Sequence, residues 1–222
     1  SIAPAIVSGD GLKLAGPAET VVVCVPNPPY VAAATFMNAQ LAGGKGEFEF
    51  AAANVTQVRI RAKRMTGPEL LRAIQDYKPY MTAAESEEKK RKEFKPTPFD
   101  QYPGTVVFDR TFPLNKPLDQ STLTKLTWKE VLGEAAAAPL IIELEGTAMP
   151  NLEGKASIAQ CLVEFTDIGL FQKDNYQSST VLAVSLQTGK PLPGVKLTLV
   201  DQERKLVGHG ETDENGQADI SG

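Results

Sequence analysis

The closing stretch SSTVLAVSLQTGKPLPGVKLTLVDQERKLVGHGETDENGQADI, residues 178–220, permits few folds. Its apolar runs are four to eight residues long, too short for helices, and each is bounded by turn residues. In the first run Val181, Ala183 and Ser185 share one face and Leu182, Val184 and Leu186 the other. Both faces are apolar, which predicts a central strand. In the second run Val195, Leu197 and Leu199 alternate with Lys196 and Thr198. DQER at 201–204 makes a turn, residues 206–211 return, and Asn215-Gly216 makes a second turn. Strands about every ten residues with turns between them predict a β-sandwich.

The same punctuation runs through the rest of the chain, with 18 glycines and 16 prolines. Residues 21–25, VVVCV, form an apolar run of strand length closed by Pro26-Asn27-Pro28-Pro29. Weaker strand candidates follow at 30–36 and 47–50, around Gly43-Gly44-Lys45-Gly46. QVRIRAKR at 57–64 has the clearest period of two: Val58, Ile60 and Ala62 face inward, and Arg59, Arg61 and Lys63 face solvent. The period then changes. Thr66 is a candidate N-cap, Pro68 an early-turn proline, and Leu70, Leu71, Ile74 and Tyr77 an apolar stripe. The charged run AAESEEKKRKEFK at 83–95 reads as a solvated helix or loop, and Pro96, Pro98 and Pro103 end the excursion. Residues 67–104 therefore read as an insertion between strands. Strand signals resume at 105–114, TWKEVLGEA at 127–135 holds one helical turn, and 139–146 with 156–171 form a hairpin around a turn at 150–154. The second of these strands runs on past a domain joint near 164–166.

Composition closes several functional classes. A net charge of −4 supplies no basic field for nucleic acid. The basic face Arg59, Arg61, Lys63 lacks interleaved aromatics and reads as a solvated strand face. No apolar segment reaches the ~18 residues of a membrane span. Ser1-Ile2-Ala3-Pro4 is no signal peptide. A start at Ser1 instead of Met is the expectation for an excised fragment. Cys24 and Cys161 both lie in apolar strand-like runs; buried free thiols and a disulfide between neighbouring strands are both open.

Chemistry-bearing patterns are few. His209 is the single histidine and sits in a hairpin strand facing solvent. No G-x-S-x-G elbow occurs, and Gly43-Gly44-Lys45-Gly46 lacks phosphate-loop spacing and a following helix. Asp213, Asn215 and Asp219 around Gly216 faintly resemble a calcium loop, but the spacing is one residue short and the flanks are strands. Turn chemistry is the expectation there. No residue is assigned to catalysis, to a cofactor or to a metal, and an enzyme is not expected.

One resemblance goes further. Thr166-Asp167-Ile168-Gly169-Leu170, then Thr188-Gly189-Lys190-Pro191 with Gly194, then Thr212-Asp213 with Gly216, resemble a macroglobulin domain of the bacterial α2-macroglobulin family. The alternating strand at 57–64 leading into a Leu-rich helix, and PLNKP at 113–117, resemble an earlier macroglobulin domain of that family. The resemblance covers roughly residues 54–220. It implies a mainly β chain of tandem macroglobulin-like, immunoglobulin- or fibronectin-III-like antiparallel sandwiches. Their division falls at 1–163, with the helical insertion, and 164–222, the second incomplete. It further implies a parent protein in the bacterial periplasm or at the cell surface that traps exogenous proteases and protects the envelope. Its partners are proteases and neighbouring macroglobulin domains, with membrane contact only through a lipid anchor outside these residues. The family's Cys-x-Glu-Gln thioester is matched by neither Cys24-Val25-Pro26-Asn27 nor Cys161-Leu162-Val163-Glu164, and no bait segment is identified. A surface adhesion or carbohydrate-anchoring module of immunoglobulin-like or transthyretin-like repeats is the alternative, because the same turn pattern encodes any sandwich hairpin.

Overall fold

A computed structural model describes residues 10–11, 24–33, 38–40, 47–85, 96–133, 137–150, 152, 157–174, 178–201, 203 and 205–221. The mainly β reading holds. Strands β1 (Tyr30–Ala32), β3 (Glu47–Ala53) and β6 (Thr122–Thr127) form a three-stranded antiparallel sheet in the order β1-β3-β6. A larger sheet has the order β2-β8-β7-β4-β5. It is built from β2 (Asn38–Gln40), β4 (Val55–Arg64), β5 (Thr105–Pro113), β7 (Ala138–Ala148) and β8 (Ser157–Phe165). The expected hairpin is β7–β8, in register from Ala138 opposite Phe165 to Gly146 opposite Ser157.

The two sheets pack face to face around one apolar core. Alternation explains its membership: Val58, Ile60 and Ala62 from β4, Leu140, Ile142 and Leu144 from β7, and Ala159, Cys161 and Val163 from β8 all point inward. A short helix, α2 (Trp128–Leu132), closes one end. Thr127 and Glu130 form a reciprocal capping box at its start. That box fixes where Trp128 enters, and its ring lies 5.7 Å from Phe48 and 5.4 Å from Phe165.

The opposite face of the larger sheet is also covered. Helix α1 (Gly67–Glu85) and a 3₁₀ turn (Phe99–Gln101) lie over it with a second apolar cluster. The insertion expected at 67–104 is thus a third layer. Its stripe differs by one residue from the sequence reading. Leu70, Ala73, Ile74 and Tyr77 pack inward, while Leu71 is exposed, because positions three, four and seven apart share a helical face. Residues 83–85 continue α1, and the remainder of the charged run lies outside the described residues.

The chain then changes sheets. The strand expected to run on through 171 breaks at Thr166-Asp167, and β9 (Ile168–Asp174) enters a separate sheet, β13-β10-β9, with β10 (Ser178–Ser185) central and β13 (Gln217–Ser221) beyond it. β11 (Lys196–Val200) and β12 (Leu206–Glu211) form the expected hairpin. Val181, Leu197, Ala218 and Ile220 make this unit's own small core.

At the amino end, of the strand expected at 21–25 only Cys24 and Val25 are described; neither is in a strand, and both are exposed. Residues 21–23 and the turn at 43–46 lie outside the described residues.

Candidate functional site

The residues singled out from the sequence separate into three places. The first is the outer face of β4, expected to be solvated. Arg59 is at the surface, in a bidentate pair with Asp109 at 2.8 and 2.7 Å. The hydrogen bond from Arg59 holds the Asp109 carboxyl below its ordinary range. Arg61 and Lys63 are largely withdrawn from solvent. Lys63 is only 7% exposed, and its ammonium donates to the carbonyls of Phe99 (3.1 Å), Asp100 (3.2 Å) and Tyr102 (2.7 Å). Burial lowers the pKa of Lys63. Arg61 donates to Glu143 at 2.6 Å and lies 4.5 Å over the Phe99 ring.

A polar seam joins these groups to the next strands. Gln160 donates to Glu143 (2.7 Å) and to the Thr97 carbonyl (2.8 Å), and its own side-chain oxygen accepts from Tyr102 (3.2 Å). Tyr77 of α1 donates to the Gln160 backbone carbonyl at 3.1 Å. Arg61, Glu143 and Gln160 stand side by side on three neighbouring strands, which is why one layer of side chains can link them. Period-two charge marks a face that carries polar groups, and the insertion then brings carbonyls and a phenyl ring down on it. Sequence offered one signal, the prolines at 96–103, which return the chain to that face.

The second place is the joint. Asp167 accepts from Ser185 Oγ at 2.8 Å through Oδ2 and from the Gln187 N–H at 2.8 Å through Oδ1, while its carbonyl accepts from the Leu186 N–H at 2.8 Å. A Cβ at Gly169 would sit 2.5 Å from Leu186 Cδ2, so the Leu186 side chain packs directly over the Gly169 backbone. The matched Thr-Gly-Lys-Pro segment threads between these groups: Ser185 N–H donates to the Lys190 carbonyl and Gly189 N–H to the Ser185 carbonyl. Thr212 donates from Oγ1 to the Leu192 carbonyl at 2.6 Å and accepts from the Val195 N–H at 2.9 Å. Asp167, Gly189, Lys190 and Thr212 of the motif therefore close turns or seat strands.

Beside the joint lies a crevice of about 390 Å³ between α1, the ends of β7 and β8, β9 and β11. Leu70, Phe165, Ile168, Leu170 and Leu197 line it with Glu164. Burial pushes the Glu164 carboxyl above its ordinary range.

The third place is the hairpin end. His209 lies on β12 opposite Thr198 and is exposed. Asp213 Oδ1 accepts from the N–H groups of Asn215 (2.9 Å) and Gln217 (2.8 Å), and Asp219 accepts from Thr180 Oγ1 at 2.6 Å. These oxygens are used by the turn and by a cross-strand contact. Among the described residues no group of three His, Cys, Asp or Glu side chains could hold a metal ion. Cys24 and Cys161 are both free. Cys161 is buried, which pushes its thiol up to about 12. Among the described residues no helix is long and apolar enough to cross a membrane.

Comparison with known proteins places this geometry. Residues 165–222 match the family model described as the bacterial alpha-2-macroglobulin MG3 domain. Native alpha-2-macroglobulin from Escherichia coli spanning domains NIE-MG1 superposes with a TM-score of 0.57 at 18% identity, covering 88% of each chain. The E. coli structure spanning MG0-NIE-MG1 gives 0.56 at 18% identity over 88% of this chain and 58% of that one. Salmonella alpha-2-macroglobulin reacted with methylamine gives 0.58 at 14% identity over 89% of this chain and 11% of that one. At these identities the structural likeness is one of fold. The comparisons name different domains, MG3 and NIE-MG1, within the same kind of protein. The chain spans most of the first of these structures and about a tenth of the Salmonella chain. No curated protein sequence matches it.

Proposed function

We propose, from the match of residues 165–222 to the bacterial alpha-2-macroglobulin MG3 domain, that this chain is scaffold in a protease-trapping protein of the bacterial envelope. In this reading the chain comprises two macroglobulin-like domains, residues 1–163 and 164–222, and performs no catalysis itself. Its contribution is to hold neighbouring domains at fixed angles and to transmit their rearrangement when a protease cuts the parent. The parent works in the periplasm or at the cell surface. The observation that carries the proposal is the family match over residues used to close turns and seat strands: the side chains of Asp167 and Thr212 are engaged there, and Gly216 supplies a backbone of positive φ. A scaffold predicts that use of polar groups, whereas a catalytic site would leave some of them facing a cleft.

The test uses the parent polypeptide. It is mixed with a broad-specificity protease, and digestion of a large protein substrate is followed. Loss of that digestion with the intact parent, and none with residues 1–222 alone, is the expected result. A parent that leaves the protease unaffected sinks the proposal. Saturable binding of the isolated residues 1–222 to cell-wall carbohydrate would overturn it in favour of an adhesive module.

A further inference from the structure

The sequence contains seven asparagines, and one of them, Asn215, precedes a glycine. Asn-Gly is the dipeptide in which the following backbone nitrogen most freely reaches the side-chain carbonyl, because glycine has no Cβ to obstruct the approach. The reaction needs no partner but water. The Gly216 amide nitrogen loses its proton to solvent and attacks the Asn215 side-chain carbonyl carbon. A C–N bond forms, the C–NH₂ bond breaks, and ammonia leaves with a solvent proton. Water then opens the five-membered imide at either carbonyl, giving aspartate or an isoaspartate whose backbone is one methylene longer.

The fold holds both reactants away from that path. Gly216 N–H donates to the Asp213 carbonyl at 2.9 Å, and the Gly216 carbonyl accepts from the Ala183 N–H at 2.8 Å. Gly216 is buried with φ of 73°, and a Cβ on it would lie 2.5 Å from the Ala183 carbonyl oxygen, so β10 packs directly on its Cα. Asn215 is held in turn, its N–H donating to Asp213 Oδ1 at 2.9 Å. Two further bonds close the loop around the pair, Asp213 N–H to the Gln217 carbonyl and Gln217 N–H to Asp213 Oδ1, both 2.8 Å. The nucleophilic nitrogen cannot turn toward Asn215 without leaving Asp213, and Gly216 cannot leave without lifting the start of β13 from β10.

We infer that Asn215 is a deamidation site that the fold keeps closed, and that its modification is a one-way record of β13 separating from β10. Loss of ammonia makes the change irreversible, and the isoaspartate product also alters the length of the backbone. An isoaspartate adds a methylene inside a turn whose ends are tied at Asp213 and Gln217, so Ala218 and Ile220 no longer return to their places in the small core. The rate of modification follows the equilibrium for local opening, not the intrinsic reactivity of the dipeptide.

The experiment compares the folded 222-residue chain, the same chain in urea, and a free peptide of residues 210–218, all in one mildly alkaline buffer at one temperature. Peptide mapping by mass spectrometry reads the gain of one mass unit at Asn215. The folded chain is expected to react at least about tenfold more slowly than the peptide, the ratio that a local opening of about 1.4 kcal/mol imposes. In urea the rate should rise to that of the peptide. Asp213→Ala, shown folded by circular dichroism, should react faster than the parent. Equal rates in the folded chain and the peptide overturn the closure. An isoaspartate-containing chain that melts as the unaged chain does overturns the displacement of Ala218 and Ile220.

Discussion

Replacing Lys63 by Met keeps an unbranched side chain as far as the ε carbon and removes the ammonium, so it isolates what that charge does beneath the insertion. Three carbonyls lose a donor. The Phe99 carbonyl still accepts from the Tyr102 N–H at 3.2 Å. The bond to the Asp100 carbonyl is partly exposed, and water can replace it at a cost of about 0.5–1 kcal/mol. The Tyr102 carbonyl loses a 2.7 Å charge-assisted bond in a buried setting, which costs about 1.5–3 kcal/mol. The ammonium also lies 5.0 Å over the Phe99 ring, for about another 0.5–1 kcal/mol. Opposing these is relief of the burial that lowers the Lys63 pKa, which offsets part of that loss. The net expectation is a loss of about 2 kcal/mol. Trp128, the single tryptophan, sits in the first core and reports its unfolding by fluorescence. With an m-value of about 2–3 kcal/mol/M in urea, the midpoint should fall by roughly 1 M. A Lys63→Met midpoint equal to or above that of the parent would refute the reasoning, because it would mean that desolvation outweighs the three bonds and that the buried charge is a net burden.

Gly216→Ala should destabilise the β9–β13 unit by about 2–4 kcal/mol, from left-handed backbone strain and the 2.5 Å approach to the Ala183 carbonyl, while leaving the Trp128 transition in place. Glu164→Gln should raise stability at neutral pH. The folded pKa of Glu164 is raised, so the folded state resists its charge above that pKa, and the gain should vanish once pH falls below about 4, where both states carry the proton; thermal midpoints at the two pH values check it. A thiol reagent should label Cys24 in the folded chain and Cys161 only after unfolding, and modification of both at equal rates would contradict the burial of Cys161.

Much of the architecture was legible because its causes are local. Period-two alternation in QVRIRAKR placed Val58, Ile60 and Ala62 inside. The Thr127–Glu130 box started a single helical turn where TWKEVLGEA stood, and Asp213 with Gly216 built the second hairpin turn. Motif residues such as Asp167 are recognisable by pattern alone, since a turn depends on a few residues near in sequence.

What the sequence could not determine depended on segments distant along the chain. Alternation says that Arg61 and Lys63 share a face, but whether that face meets water depends on where residues 67–104 return. Only the tertiary structure brings the Phe99, Asp100 and Tyr102 carbonyls to Lys63, 36 to 39 positions away. The same holds for the two cysteines. Both stand in apolar runs, yet Cys161 is buried because β8 is flanked by strands on both sides, whereas Cys24 is in no strand and is exposed. Strand propensity and turn chemistry act over a few residues, and burial is decided by contacts that close over many.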